Sequence, residues 1–290
     1  MPQISKMIRA RLAIGVITHR RPRQFVALLA ELAEQNIPAG TELLFIFVEN
    51  DSALSVGGSV DNFAQGRNVH LELEPKIGIP FARNRVLDIA NRIGADWLIW
   101  IDDDDLPTSR GWVDRLYQGC KNRGCTIGYG FNIYPNNRKP SRRRLHHGTN
   151  AIFEMAFLRE HGLRYNVSLP VGEDVQFGLE CVATGALAGV LLDAIVEIGG
   201  GTKFDDAWYR FRRARDKGMV RYGFQFRHLE ISHFHPVKTP VWLIFMLLKA
   251  ILNLLLAVLF VPGAKVRAAR DAGIVAGAIQ GCCNRQDRVP

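Results

Sequence analysis

Over its first hundred residues the chain alternates short, unbroken apolar runs with stretches in which apolar residues recur every three or four positions. "LAIGVIT" (12–18) and "ELLFIFVEND" (42–51) are continuous apolar runs of the kind that form strands buried on both faces. "NVHLELE" (68–74) and "DWLIWIDD" (96–103) predict two more strands. Between them, "RPRQFVALLAELAEQN" (21–36) places Phe25, Leu28, Leu29, Leu32 and Ala33 on one helix face. "IPFARNRVLDIANRIG" (79–94) reads as a second helix closed by Gly94. Strand–helix alternation of this kind predicts an α/β domain with a parallel sheet. In such sheets ligands gather at the carboxyl ends of the strands. The polar residues there are Thr18-His19-Arg20, Glu49-Asn50-Asp51 and Asp102–Asp105.

The remaining pattern predicts a helix over 110–122, a strand over 126–134 and a basic loop over 136–148. Two helices follow at 152–162 and 173–185, each closed by glycine, then a strand at 186–198. A basic amphipathic helix over 205–218 is capped by Asp205 or Asp206 and carries Arg210, Arg212, Arg213 and Arg215. A solvated basic face is an equal reading of it.

Composition narrows the partners without choosing one. A net charge of +9 favours anionic ligands: nucleotides, nucleic acid or an acidic membrane surface. The aromatic-interleaved basic platform of a nucleic-acid binder is absent, so nucleic acid is not expected as a partner. Five cysteines without a CxxC pair point to a reducing, cytosol-facing compartment. The N-terminus has too short an apolar run for a signal peptide. "GGGTK" (199–203) lacks the pattern of a phosphate-binding loop, and "GYGFNI" (128–133) fails the dinucleotide fingerprint at its third glycine. "HFH" (233–235) and His146-His147 read as surface histidines.

Candidate chemistry concentrates in two places. Asp102–Asp105 are four like charges in a row, and crowded carboxylates resist joint ionisation unless a cation neutralises them. As hard oxygen ligands they suit Mg²⁺ or Mn²⁺, ions that share such sites with substrate phosphates. The competing reading is a solvated acidic turn in which Asp105 or Thr108 caps the next helix. In "VGEDVQF" (171–177), Glu173 and Asp174 open a helix, where the positive end of the dipole keeps a carboxylate ionised and ready to take a proton. An ordinary acidic helix start is the alternative.

Taken in order, "VEND", "GIPFARNRVLDIA", "WLIWIDDDDLP", "GTNAIF" and "VGED" resemble a family 2 glycosyltransferase of the GT-A fold, over about residues 10–220. Their spacing is closest to bacterial exopolysaccharide enzymes such as the succinoglycan glucosyltransferases. The resemblance implies a Rossmann-like GT-A fold with a mostly parallel central sheet. It implies a DxD motif with Asp102 towards the sugar-nucleotide ribose and Asp104 on a metal bridging the diphosphate. Asp51 reaches the nucleobase or its ribose, although this segment reads "VENDS" where the family more often has "VDDGS". Arg83 and Asn84 lie near the diphosphate, and Thr18 and Asp103 join the donor-binding set. Thr149 and Asn150 belong to the acceptor side. Asp174 is the catalytic base, with Glu173 beside it. The expected cofactor is a divalent metal, Mn²⁺ or Mg²⁺.

The C-terminal region changes the picture again. "WLIFMLLKAILNLLLAVLFV" (242–261) is twenty residues long, the length needed to cross hydrocarbon. Its fourteen Leu, Ile, Phe and Val residues contribute roughly −4 to −8 kcal/mol on an insertion scale, against about +3 for Lys249. Lys249 and Asn253 share one helical face, and basic residues flank both ends: Arg227 and Lys238 before, Lys265, Arg267 and Arg270 after. Gly273, Gly277 and Gly281 form a small-residue packing face. An interfacial or re-entrant hairpin with both flanks cytosolic follows, with a buried soluble helix as the alternative. The expectation is a GT-A catalytic domain over 1–225 and a membrane-associating helical region over 226–290. Its activity would be inverting transfer of a hexosyl group from a nucleotide-diphosphate sugar, UDP-linked, to a polyprenyl-linked or surface-glycan acceptor. Its place would be the cytoplasmic face of the bacterial inner membrane. A metal-dependent nucleotidyl- or phosphotransferase using the same aspartates is the rival reading.

Overall fold

The computed structural model describes residues 10–51, 53, 55–133, 148–169, 172–199, 244, 247, 248, 251, 252 and 268–276. It divides into two compact units, one of residues 1–167 and 180–201, the other of residues 168–179 and 202–290. The basic loop 136–147, the helix expected at 205–218 and most of 242–261 lie outside the described residues.

The first unit is built on one sheet. Its strands are β1 (Ala10–Thr18), β2 (Thr41–Glu49), β3 (Asn68–Leu73), β4 (Trp97–Trp100), β5 (Leu106–Pro107), β6 (Ile127–Ile133), β7 (Ala151–Glu154) and β8 (Ala188–Glu197), in the order β3-β2-β1-β4-β7-β6-β8-β5. The helices are α1 (Pro22–Ala33), α2 (Gly57–Phe63), α3 (Ile79–Arg92), α4 (Trp112–Arg123), α5 (Met155–Glu160) and α6 (Glu173–Ala183). β1 lies between β2 and β4 and pairs in parallel with both. α1 buries Phe25, Leu28, Leu29 and Leu32, the stripe its spacing predicts. Phe25 meets Phe47 edge-on at 5.2 Å, and Phe63 of α2 packs edge-on against Phe45 at 4.9 Å.

The sheet is mixed, not mostly parallel. β7 runs antiparallel to both β4 and β6, and β5 runs antiparallel to β8. The antiparallel pairing with β4 and β6 comes from "IFE" (152–154), expected as the first turn of a helix over 152–162 but folded with Ala151 as a strand. Leu98 of β4 and Ile127 of β6 both pair with Phe153, so β7 is hydrogen-bonded on both sides. Four residues are too few to show a period, and neighbours on both edges outweigh local helix propensity. The helix starts only at Met155, whose N–H donates to the Asp96 carbonyl.

The second unit contains the first turns of α6 and the described part of the C-terminal region. Ile244, Leu247, Leu248, Ile251 and Leu252 are helical and exposed. Residues 268–276 are helical too, with Ala268, Asp271 and Val275 buried and Asp271 paired to Arg270 at 2.9 Å. Among the described residues no helix is long and apolar enough to cross a membrane.

Candidate active site

Because β1, β2 and β4 run in parallel, their carboxyl ends deliver Thr18, Glu49 and the residues after Trp100 to one edge of the sheet. The acidic run leaves β4 at Ile101 and forms a turn there, closed by the Asp105 N–H donating to the Asp102 carbonyl at 3.2 Å. Its carboxylates alternate in environment. Asp103 and Asp105 are buried, while the side chains of Asp102 and Asp104 are 43% and 16% exposed.

Each inward carboxylate is held by named donors. The Thr18 hydroxyl donates to Asp103 Oδ2 at 2.7 Å. The Thr149 hydroxyl donates to Asp105 Oδ2 at 2.7 Å, and the Gly199 N–H donates to Asp105 Oδ1 at 2.9 Å. Burial raises the Asp103 carboxyl above the usual range; for Asp105, burial reinforced by the Asp102 charge pushes it up to about 8. Arg21 supplies the countercharge, with Nη1 3.2 Å from Asp103 Oδ1 and 3.0 Å from Asp104 Oδ2. Asp105 does not cap α4, whose N-cap is Gly111 without a side-chain hydrogen bond, and Thr108 bonds to the Ile195 carbonyl. The helix-cap reading of the turn therefore falls.

The outward pair fits the donor set of a hard divalent cation. Among the described residues no group of three or more His, Cys, Asp or Glu side chains is placed to hold an ion alone. Two carboxylates leave most of the shell to water and phosphate oxygens, the way Mg²⁺ is usually bound.

Arg83 stands behind Asp102. It is buried, with its guanidinium 5.2 Å from the ring centroids of both Trp100 and Tyr165. Nη1 donates to the Gly148 carbonyl at 3.0 Å, and Nη2 lies 3.6 Å from Asp102 Oδ1. A Cβ on Gly148 would overlap the guanidinium, so a larger residue there would have to displace Arg83. Gly199 is more tightly constrained, because a Cβ there would overlap the Asp104 backbone carbonyl.

Three residues of the expected contact set have their polar atoms committed inside the protein. Asn84 donates to the Tyr165 carbonyl and accepts from the Tyr165 N–H, both at 2.9 Å. Asn150, with φ of 52°, donates to the Phe131 and Ala194 carbonyls and to Asn132 Oδ1, and accepts from Trp112 Nε1 at 2.8 Å. Thr149 accepts from the Asp102 N–H at 3.1 Å while donating to Asp105. "GTN" thereby braces the acidic turn from below. Thr149→Val keeps the shape and removes both bonds at a buried point. It is expected to cost about 1–3 kcal/mol, read as a lower denaturation midpoint with an unchanged slope.

Across the edge, Asp51 is held by Arg20, with Nε donating to Oδ2 at 2.6 Å and Nη2 to Oδ1 at 3.2 Å. Arg20 adopts a left-handed φ of 55°. His19 Nδ1 donates to the Asn50 carbonyl at 2.6 Å. Two residues that the sequence places at this strand end without assigning them a role support this corner. Buried Glu49 accepts from the Ser55 hydroxyl and from the Ser55 and Val56 N–H groups. Asn50 donates to the Glu74 and Lys76 carbonyls and accepts from the Gly78 N–H. An acid and an amide at the end of a buried strand were the available signal. Glu173 and Asp174 lie in the second unit, at the start of α6. Glu173 is buried, and Asp174 Oδ1 accepts from the Val175 N–H at 2.8 Å.

No protein-family model and no curated protein matches the chain. Solved structures do. The mannosyltransferase PcManGT from Pyrobaculum calidifontis, in complex with GDP-Man and Mn²⁺, is similar at a TM-score of 0.63 and 15% identity, over 97% of this chain and 89% of its own. TarS 1–349 from S. aureus in complex with UDP gives 0.58 and 15%, over 93% and 91%. The same protein with UDP-GlcNAc gives 0.58 at 14% identity over the same shares. Likeness at this identity speaks to architecture: the chain has the α/β GT-A fold, built here on a mixed sheet, with the acidic turn at the carboxyl edge of its parallel strands.

Proposed function

We propose that the protein is a divalent-metal-dependent, inverting glycosyltransferase of family 2 that moves a hexosyl group from a nucleotide-diphosphate sugar, UDP-linked, to a polyprenyl-linked or surface-glycan acceptor. The observation that carries this reading is the alternation of the acidic turn, which buries Asp103 and Asp105 and leaves Asp102 and Asp104 on the more exposed side. Asp104 would hold the metal and Asp102 the ribose side of the donor. Such an ion, when bound, stabilises the charge that develops on the departing diphosphate. Arg83 orients Asp102, and the Arg20-clasped Asp51 is available to the nucleoside. Asp174 takes the acceptor hydroxyl proton as the hydroxyl oxygen bonds to the anomeric carbon and the bond to the diphosphate breaks. A single carboxylate acting once gives inversion.

A screen of nucleotide sugars with Mn²⁺ and with Mg²⁺ tests this directly. Metal-dependent release of free sugar and nucleoside diphosphate is the expected result. Release of sugar phosphate and nucleoside monophosphate would instead mark the nucleotidyl- or phosphotransferase.

The acceptor and the inner-leaflet location rest on the C-terminal region. Ile244, Leu247, Leu248, Ile251 and Leu252 recur at helical spacing and are all exposed, a face suited to lying in a lipid interface. Ending the chain near residue 236 should leave nucleotide and metal binding intact, and should lower transfer to long-chain lipid acceptors more than to short soluble ones. Topology is read by labelling Cys282 and Cys283 with an impermeant thiol reagent. Cys120, Cys125 and Cys181 are buried, and burial pushes the Cys120 and Cys181 thiols up to about 12, so they stay silent. Labelling in intact cells would place the C-terminus outside and exclude the hairpin.

A further inference from the structure

We propose that Arg21 is an internal counter-cation that makes metal binding at the acidic turn conditional on the donor diphosphate. The inference rests on reading that turn as the metal and diphosphate site.

Arg21 is anchored at a junction. It is the N-cap of α1, directly before Pro22, and its carbonyl accepts the Phe25 N–H at 3.0 Å. From there one guanidinium nitrogen reaches two consecutive carboxylates, Asp103 at 3.2 Å and Asp104 at 3.0 Å. The other oxygen of Asp103 is already engaged by Thr18, so Asp103 is a fixed post. Asp104, on the more exposed side of the turn, is the carboxylate that would receive the ion. The positive charge thus sits against the metal-side carboxylate while still one third exposed.

Two consequences follow from charge alone. A divalent ion approaching Asp104 meets a guanidinium in contact with Oδ2 of the same carboxylate, and the like charges repel, which weakens binding of the ion alone. Among the described residues no third acidic or imidazole ligand is placed to offset this. A diphosphate removes the conflict, because its oxygens complete the ion's shell and give the planar guanidinium a new anionic partner. Metal and diphosphate therefore bind as a pair, and the coupling is reciprocal. Without them, Arg21 offsets part of the turn's negative charge.

The test is Mn²⁺ titration of the full chain, following the free-ion electron paramagnetic resonance signal, with and without saturating UDP and, in a parallel arm, GDP. The wild-type protein is expected to bind Mn²⁺ weakly alone and roughly 10-fold or more tightly with nucleotide. Arg21→Met keeps the length of the stem and removes the charge. It should bind Mn²⁺ alone about 10-fold more tightly, and nucleotide should then improve binding by no more than about 3-fold. Arg21→Lys keeps the charge without the fork and should show coupling between the two; it carries the test if Arg21→Met does not fold. A purely structural strut predicts the opposite: a lower melting temperature, weaker Mn²⁺ binding and an unchanged coupling factor. That result, or Mn²⁺ binding by the wild type with no coupling, overturns the role of Arg21 alone. Wild-type protein that binds neither Mn²⁺ nor nucleotide overturns the proposed function as well.

Discussion

Asp104→Asn is expected to abolish metal-dependent donor binding while leaving the fold intact. The substitution is nearly isosteric, so little packing is lost; what goes is one of the two more exposed negative charges of the turn. Asp103 and Asp105, which tie the turn to Thr18, Thr149 and Gly199, are untouched. Asp104 also holds Arg21 at 3.0 Å, and the amide returns only a neutral acceptor to it. Charge stabilisation worth several kcal/mol in the transition state corresponds to a fall in transfer on the order of 10³-fold. Mn²⁺ and nucleotide titrations beside a thermal melt decide it. Unchanged affinities in a folded variant would remove Asp104 from the metal site.

Asp174→Asn should behave differently: metal and donor affinity near wild type, with transfer reduced by about 10²–10⁴, the usual contribution of a general base. The carboxylate lies in the first turn of α6, and one oxygen accepts the Val175 N–H. The amide preserves that bond's geometry and cannot accept a proton from the acceptor hydroxyl. The two substitutions thus separate binding from chemistry. Loss of donor affinity would move Asp174 into the nucleotide site, and undiminished transfer would assign the base to another residue.

The parts of this molecule that sequence pattern revealed are those whose environment is uniform along their length. β1 and β2 are buried on both faces along their middles, so residues 12–17 and 43–48 are all apolar or glycine and no period is needed to see them. α1, α3 and α4 each bury one face, and the stripe is visible at 3.6-residue spacing. Elements too short to display a period escaped: α2, β5 and above all β7, whose insertion between β4 and β6 turns a parallel arrangement into a mixed sheet.

The same division runs through the site. Local sequence determined that four carboxylates end an apolar strand, because charges cannot enter the buried run of β4 and so collect at its end. Which of the four face inward was decided by partners remote in the chain: Thr18 lies 85 residues from Asp103, Thr149 lies 44 from Asp105, and Gly199 lies 94 from Asp105. The family resemblance implies Asn84 on the donor side and Thr149 on the acceptor side. Folding brought Tyr165 against one and the acidic turn against the other. Arg21 showed only as one more charge in "HRRPR"; parallel pairing of β1 with β4 carries it to Asp103 and Asp104. Composition and period record what each segment buries, whereas a polar side chain's partner is set by which strand ends lie side by side, and that exists only once the sheet has formed.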